Sequence, residues 1–102
     1  MDIVDLGEII ATRKLQIAGD PKREIKILIG KPREFADHPD YYCPYQIVGI
    51  GNEKIRYAGG VDAVQALQLA VKIIGVKLQT SKEAEKLRWL DQTDLGFPVF
   101  ES

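Results

Sequence analysis

One stretch governs what this chain can become. Residues 62–79 read DAVQALQLAVKIIGVKLQ, and the polar positions Gln65, Gln68, Lys72 and Gln79 recur at steps of three, four and seven. Gly75 falls on the same narrow stripe. Val64, Leu67, Val71, Ile74 and Leu78 take one side, with Ala63, Ala66, Ala70 and Ile73 beside them. A helix apolar over more than half its circumference has to be nearly buried. Its five large aliphatic side chains contribute roughly 1.5–3 kcal/mol each on burial, before entropy. The expectation is a helix lying across a sheet as the centre of the core. Asp62 followed by Gln65 supplies a capping box at its start: the carboxylate accepts an orphan amide while Gln65 reaches back. Gly75 costs about 1 kcal/mol relative to Ala in a helix interior and marks a bend or a close contact.

Upstream, the period is two. In residues 8–17 Ile9, Ala11, Leu15 and Ile17 share one face with Arg13 as the exception, and Ile10, Thr12, Lys14 and Gln16 take the other. Gly19-Asp20-Pro21 supplies turn chemistry. Ile25, Ile27 and Ile29 give a second strand, residues 46–50 a third and 54–58 a fourth, with Gly51-Asn52-Glu53 as a hairpin connection. Short links favour antiparallel neighbours. Downstream, Thr80 with Glu83 offers a second capping box, and Ala84, Leu87 and Leu90 a short second helix. In the tail, residues 91–102, Leu95, Phe97, Val99 and Phe100 are too apolar to float free, so it packs back on the domain or on a partner. The expected architecture is a single α+β domain over residues 1–102: a four-stranded antiparallel meander covered by one long buried helix and a short second helix.

At 102 residues the chain suffices for one core. Fifteen acids against fourteen bases argue against a nucleic-acid binder, which needs clustered Lys and Arg. No apolar run approaches a membrane span. Cys43 is the one cysteine, and the first seven residues carry Asp2 and Asp5 without a basic flank. The expectation is therefore a cytoplasmic protein.

Residues 30–44, GKPREFADHPDYYCP, form the longest stretch without periodicity and hold both the single His and the single Cys. Three chemistries compete for it. Cys43 with His38 is a thiol and a base, yet nothing else marks a nucleophile motif. Asp37, His38, Asp40 and Cys43 fall short of a structural zinc set. Phe35, Tyr41, Tyr42 and Tyr45, with Arg33 alongside, have the composition of interface anchors, since Tyr and Arg bury large area with a polar handle. Trp89 joins them as a further candidate contact. Gly59-Gly60 ahead of the helix is read as the tight strand-to-helix turn, because Asp62 sets a negative charge where an anion would sit.

The runs YYCPYQIVGIG and IRYAGGVDAVQALQLAVKIIGVKL, with LGFP at Leu95 to Pro98, resemble a family of small bacterial proteins of uncharacterised activity. That family pairs a Cys-Pro-aromatic strand with a Gly-Val-Asp-Ala-x-Gln-Ala-Leu helix start. The resemblance runs from about Lys31 onward and is strongest between Gly60 and Ala70. In size and style such proteins are similar to immunity proteins that neutralise toxins of competing bacteria.

The leading expectation is a non-enzymatic protein-binding module, an immunity protein for a cognate toxin domain, with no cofactor and no metal. It would use Arg33, Phe35, Tyr41, Tyr42 and Trp89 on a rigid scaffold. The alternative is a small-ligand-binding or enzymatic domain built on Asp37, His38, Asp40 and Cys43. A homodimer paired through sheet edges or tails is the third.

Overall fold

The computed structural model describes residues 5–98; the tail residues Val99 and Phe100 and the acid Asp2 considered above lie outside them. The fold is α+β. An antiparallel sheet contains β1 (Ile9–Ile17), β2 (Asp20–Gly30), β3 (Arg33–Glu34), β4 (Tyr41–Val48), β5 (Arg56–Gly60) and β6 (Leu87–Arg88), and one helix, α1 (Ala63–Gln79), packs on it. The four long strands are neighbours in chain order, β1–β2–β4–β5, and β6 adds to the free edge of β1. The two extra strands, β3 and β6, are two residues each, too short to leave a periodic signal.

Alternation puts Leu15, Ile25, Ile27, Ile29, Cys43, Tyr45 and Ala58 on the face that α1 covers, and all are buried. Register carries this across the sheet, with Leu15 opposite Ile25, Ile29 opposite Tyr45 and Cys43 opposite Ala58. Strand β3 continues β2 along the same edge of β4. Tyr41 pairs with Glu34 on one side and Gly60 on the other, and the register slips by one residue between Ile29↔Tyr45 and Arg33↔Tyr42. That slip is a bulge. It explains why residues 30–44 lack one period. Seven of the fifteen residues expected to be irregular are strand, and the long connection that remains is residues 35–40, closed by the Phe35 amide donating to the Asp40 carbonyl at 2.9 Å.

Helix α1 begins as its sequence dictates. Asp62 Oδ1 accepts from the Gln65 amide at 2.8 Å, and Gln65 Oε1 accepts from the Val61 amide at 2.8 Å, one residue further back than a standard capping box. The buried line is Ala66, Ala70, Ile74 and Leu78, at steps of four, so small residues lead where the helix comes closest to the sheet. Leu67, Val71 and Ile73 are half-buried flanks, and Val64 is 62% exposed, two residues out of line with Ala66. Gly75 is buried too, not on the water-facing stripe: a Cβ there would lie 3.0 Å from the Pro98 carbonyl and 3.1 Å from Phe97 Cβ. It is the seat of the tail. Gly59 and Gly60 are likewise strand residues, not a turn. A Cβ on Gly60 would meet the Ala66 amide at 2.5 Å, so this glycine sets the distance of the helix from β5.

The expected second helix is replaced by a single 3-10 turn (Ala84–Lys86) followed by β6. Thr80 does not start a helix; it ends one, its hydroxyl donating to the Val76 carbonyl at 2.9 Å. Glu83 is taken by Arg23 at 2.9 Å, which leaves the second capping box without its acid. Leu87, opposite Ile17, is buried as a strand residue on the edge of β1, where a helix could not place it. The chain then turns at Leu90 and Asp91, both at positive φ (50 and 64), with Trp89 and Gln92 exchanging amide hydrogen bonds. Leu95 and Phe97 pack against the core, so the described part of the tail docks on its own domain. No described helix is long and apolar enough to cross a membrane.

Candidate functional site

Side chains on β4 alternate between the two faces of the sheet, and this divides the aromatics of YYCPY. Tyr41 and Tyr45 pack with the core on the helix side. Tyr42 points the other way. There it meets Phe35 at 4.9 Å between ring centroids and Tyr57 of β5 at 5.9 Å; Phe35 in turn lies 5.8 Å from Tyr57 and stacks on His38 at 4.3 Å. The Arg33 guanidinium sits 5.1 Å from the Tyr42 ring, within cation–π range. Three segments build this outer-face cluster: β3 and the connection after it, β4, and β5. The pairing of Pro44 with Tyr57 sets the last ring beside Tyr42.

Its electrostatics are mild. Arg33 Nη2 donates to the carbonyl and Oδ1 of Asp5, both at 3.3 Å, so Asp5 is strapped beside the cluster. His38 stands between Asp37 at 3.6 Å and Asp40 at 3.7 Å, all three exposed. Towards the other end of the same face, Lys14, Gln16, Glu24 and Lys26 are exposed to water. An aromatic cluster edged by polar side chains on a solvent face can bury area against another surface; it offers no activated nucleophile.

Cys43 is not part of it. The thiol is fully buried on the opposite face, donates to the Gly30 carbonyl at 3.4 Å, and is pushed up to about 11 by burial. A neutral buried thiol and an exposed imidazole do not form a nucleophile–base pair. Among the described residues no group of three His, Cys, Asp or Glu side chains is placed to hold a metal ion.

Of the residues expected to form one contact surface, Arg33, Phe35 and Tyr42 are brought together and two are placed elsewhere. Tyr41 is at the rim of the helix side, its phenol donating to Glu34 Oε1 at 3.0 Å. That hydrogen bond and the Glu34 charge hold the phenol above its usual range. Trp89 lies against Arg13 beside the tail, 3.9 Å from the guanidinium carbon to the ring centroid. Tyr57 and His38 complete the cluster, although the sequence alone does not mark them as contacts. The signal for Tyr57 was present: it adjoins Ala58, a core position of the same strand, and so faces away from the core.

A family model described as a domain of unknown function, DUF6968, matches residues 11–99. No curated protein and no solved structure matches the chain.

Proposed function

This chain belongs to the DUF6968 family of domains of unknown function, and we propose that it is a protein-binding module whose contact surface is the outer face of the β3–β4–β5 end of the sheet. The observation that carries this reading is the ring cluster of Phe35, Tyr42 and Tyr57, three aromatic side chains gathered on the face that the core does not use. Aromatic residues each bury about 150–250 Å² and dominate interface energetics. Tyr with Arg at its edge is the composition of a hot spot. With a net charge of -1, affinity rests on aromatic burial more than on long-range steering, so the association rate should depend weakly on salt. The partner class we propose is a bacterial toxin domain, which this chain would neutralise by covering it.

The test is co-expression with the product of the adjacent reading frame, followed by size-exclusion chromatography. A one-to-one complex, lost in the Phe35→Ala/Tyr42→Ala double variant, is the expected result, together with toxicity of the neighbour expressed alone. Separate elution, or a complex indifferent to both rings, would sink the proposal.

A further inference from the structure

On the other side of the sheet, a groove of about 460 Å³ opens between the C-terminal end of α1 and the β4–β5 connection. Its floor is apolar: Tyr45, Ile47 and Ile50. Its rim is cationic: Lys54, Arg56, Lys77 and Lys82. We infer that this groove is a binding site for a small organic anion, a carboxylate, sulfonate or phosphate carried on an apolar body.

The charge is the first argument. The whole chain carries -1, yet four cations from three places in the sequence line one groove. The single acid there, Glu83, is already neutralised by Arg23 at 2.9 Å. Glu53, next to Lys54, is turned away to accept the Gly49 amide at 2.8 Å. Lys77 has a structural role, in the last turn of α1 where a cation complements the helix dipole. Lys54, Arg56 and Lys82 have no such role, and none makes an ion pair among the described residues.

The floor is the second argument, because it decides between anions. An inorganic ion would use the cations and leave the half-buried Ile47 and Ile50 wet. A neutral apolar molecule would fill the floor and leave the charges unanswered. Only a molecule with both parts satisfies the lining, and the volume is that of an ordinary small-ligand site, about 300–1,000 Å³. Tyr45 adds a donor. Its phenol makes no hydrogen bond to the described residues, and it sits directly across the ladder from Arg56, whose charge acts on it against the effect of burial.

The groove lies on the face opposite the aromatic cluster, so this inference stands independently of the protein-binding reading. It is tested by amide NMR titration of the full chain with 8-anilinonaphthalene-1-sulfonate and with N-phenyl-1-naphthylamine, the same body without the sulfonate. Expected are saturable shifts confined to Tyr45, Ile47, Ile50, Thr80 and Ser81, and weaker binding of the neutral compound. Arg56→Gln/Lys82→Gln should weaken the sulfonate by about tenfold or more, and raising the salt in the unaltered protein should weaken it likewise. Equal affinity for the two compounds, shifts centred elsewhere, or binding indifferent to salt and to the double variant would overturn the inference.

Discussion

Arg13 is clamped against Trp89: its guanidinium carbon lies 3.9 Å from the indole centroid and 4.9 Å from that of Phe97, while Nη1 donates to the carbonyls of Leu95 at 3.0 Å and Gly96 at 3.2 Å. The one charged residue on the inward face of β1 is thus what fastens the tail. Two hydrogen bonds from a cation and a ring stack together amount to about 2 kcal/mol at a half-exposed site. Arg13→Ala should lower the urea unfolding free energy by about that much and speed proteolysis in residues 91–98. Arg13→Lys should recover little, because an ammonium offers neither the planar fork nor the stack. Full recovery by Lys would show that charge alone holds the tail.

Gly59 and Gly60, adjacent and chemically identical, should respond oppositely to a methyl group. At Gly60 a Cβ meets backbone of the first helical turn, the Ala66 amide at 2.5 Å and its Cα at 3.0 Å. At Gly59 the nearest atom is 3.8 Å away. Gly60→Ala should cost about 1–3 kcal/mol by forcing α1 off the sheet, whereas Gly59→Ala should stay within about 0.5 kcal/mol of the parent. Equal effects in thermal or urea unfolding would mean that the helix seat is softer than this contact implies.

Legibility in the sequence follows the same division between local and non-local signals. The helix start was legible because a capping box is local, and the four long strands because alternation is local. Arg13 was visible as an exception to its face, although nothing upstream of Trp89 says what it meets. Ala84, Leu87 and Leu90 keep a helical step of three and so suggest a second helix, but Leu87 is claimed by the edge of β1. The early start of β4 was hidden because YYCPY places large side chains on both faces and so shows no alternation. In the candidate site, Phe35, Tyr42 and Arg33 were legible by type, but the Pro44↔Tyr57 register that adds the third ring is set by the fold. The anion groove joins the β4–β5 connection to the end of α1 and has no signature in any one segment.

Leu90 holds φ at 50 and Asp91 at 64 in the turn between Trp89 and Gln92. A left-handed backbone costs a residue with a Cβ about 1–2 kcal/mol, least for Asn and Asp. Leu90 is also 71% exposed, so its side chain returns little packing. Leu90→Asn should therefore raise the unfolding free energy by about 0.5–1 kcal/mol. A loss of stability would show that the leucine has a contact worth more than the strain.

The buried Cys43 thiol gives a pH signature. Its folded pKa is raised to about 11 from an ordinary 9.0, because burial disfavours the thiolate. Below pH 9 both states hold the proton and the group is neutral to stability. Between about pH 9 and pH 11 the unfolded chain releases it while the folded chain keeps it, so stability falls as pH rises. In Cys43→Ala this contribution is absent. The gap in unfolding free energy between the parent and the variant should therefore narrow across that window, by an amount on the order of 2 kcal/mol. A gap constant from pH 8 to 11 would place the thiol pKa near its unfolded value and the side chain in contact with water.

Tyr41 and Tyr42 are neighbours in sequence on opposite faces of β4, which separates the contact surface from the scaffold in a single experiment. Tyr42 belongs to the ring cluster with Phe35 and Tyr57; Tyr41 packs at the helix side and donates to Glu34. If the outer face is the interface, Tyr42→Ala removes a central ring and should weaken partner binding by about 30-fold or more, the range of a hot-spot residue, mostly through faster dissociation. Tyr41→Phe keeps the ring and deletes only an exposed hydrogen bond, so binding should change by less than about twofold. Tyr57→Ala should follow Tyr42→Ala, and the two together should be less than additive because their rings touch. The reverse pattern, with Tyr41 sensitive and Tyr42 silent in surface-based kinetics, would move the interface to the helix side of the sheet, beside Asp62 and the start of α1.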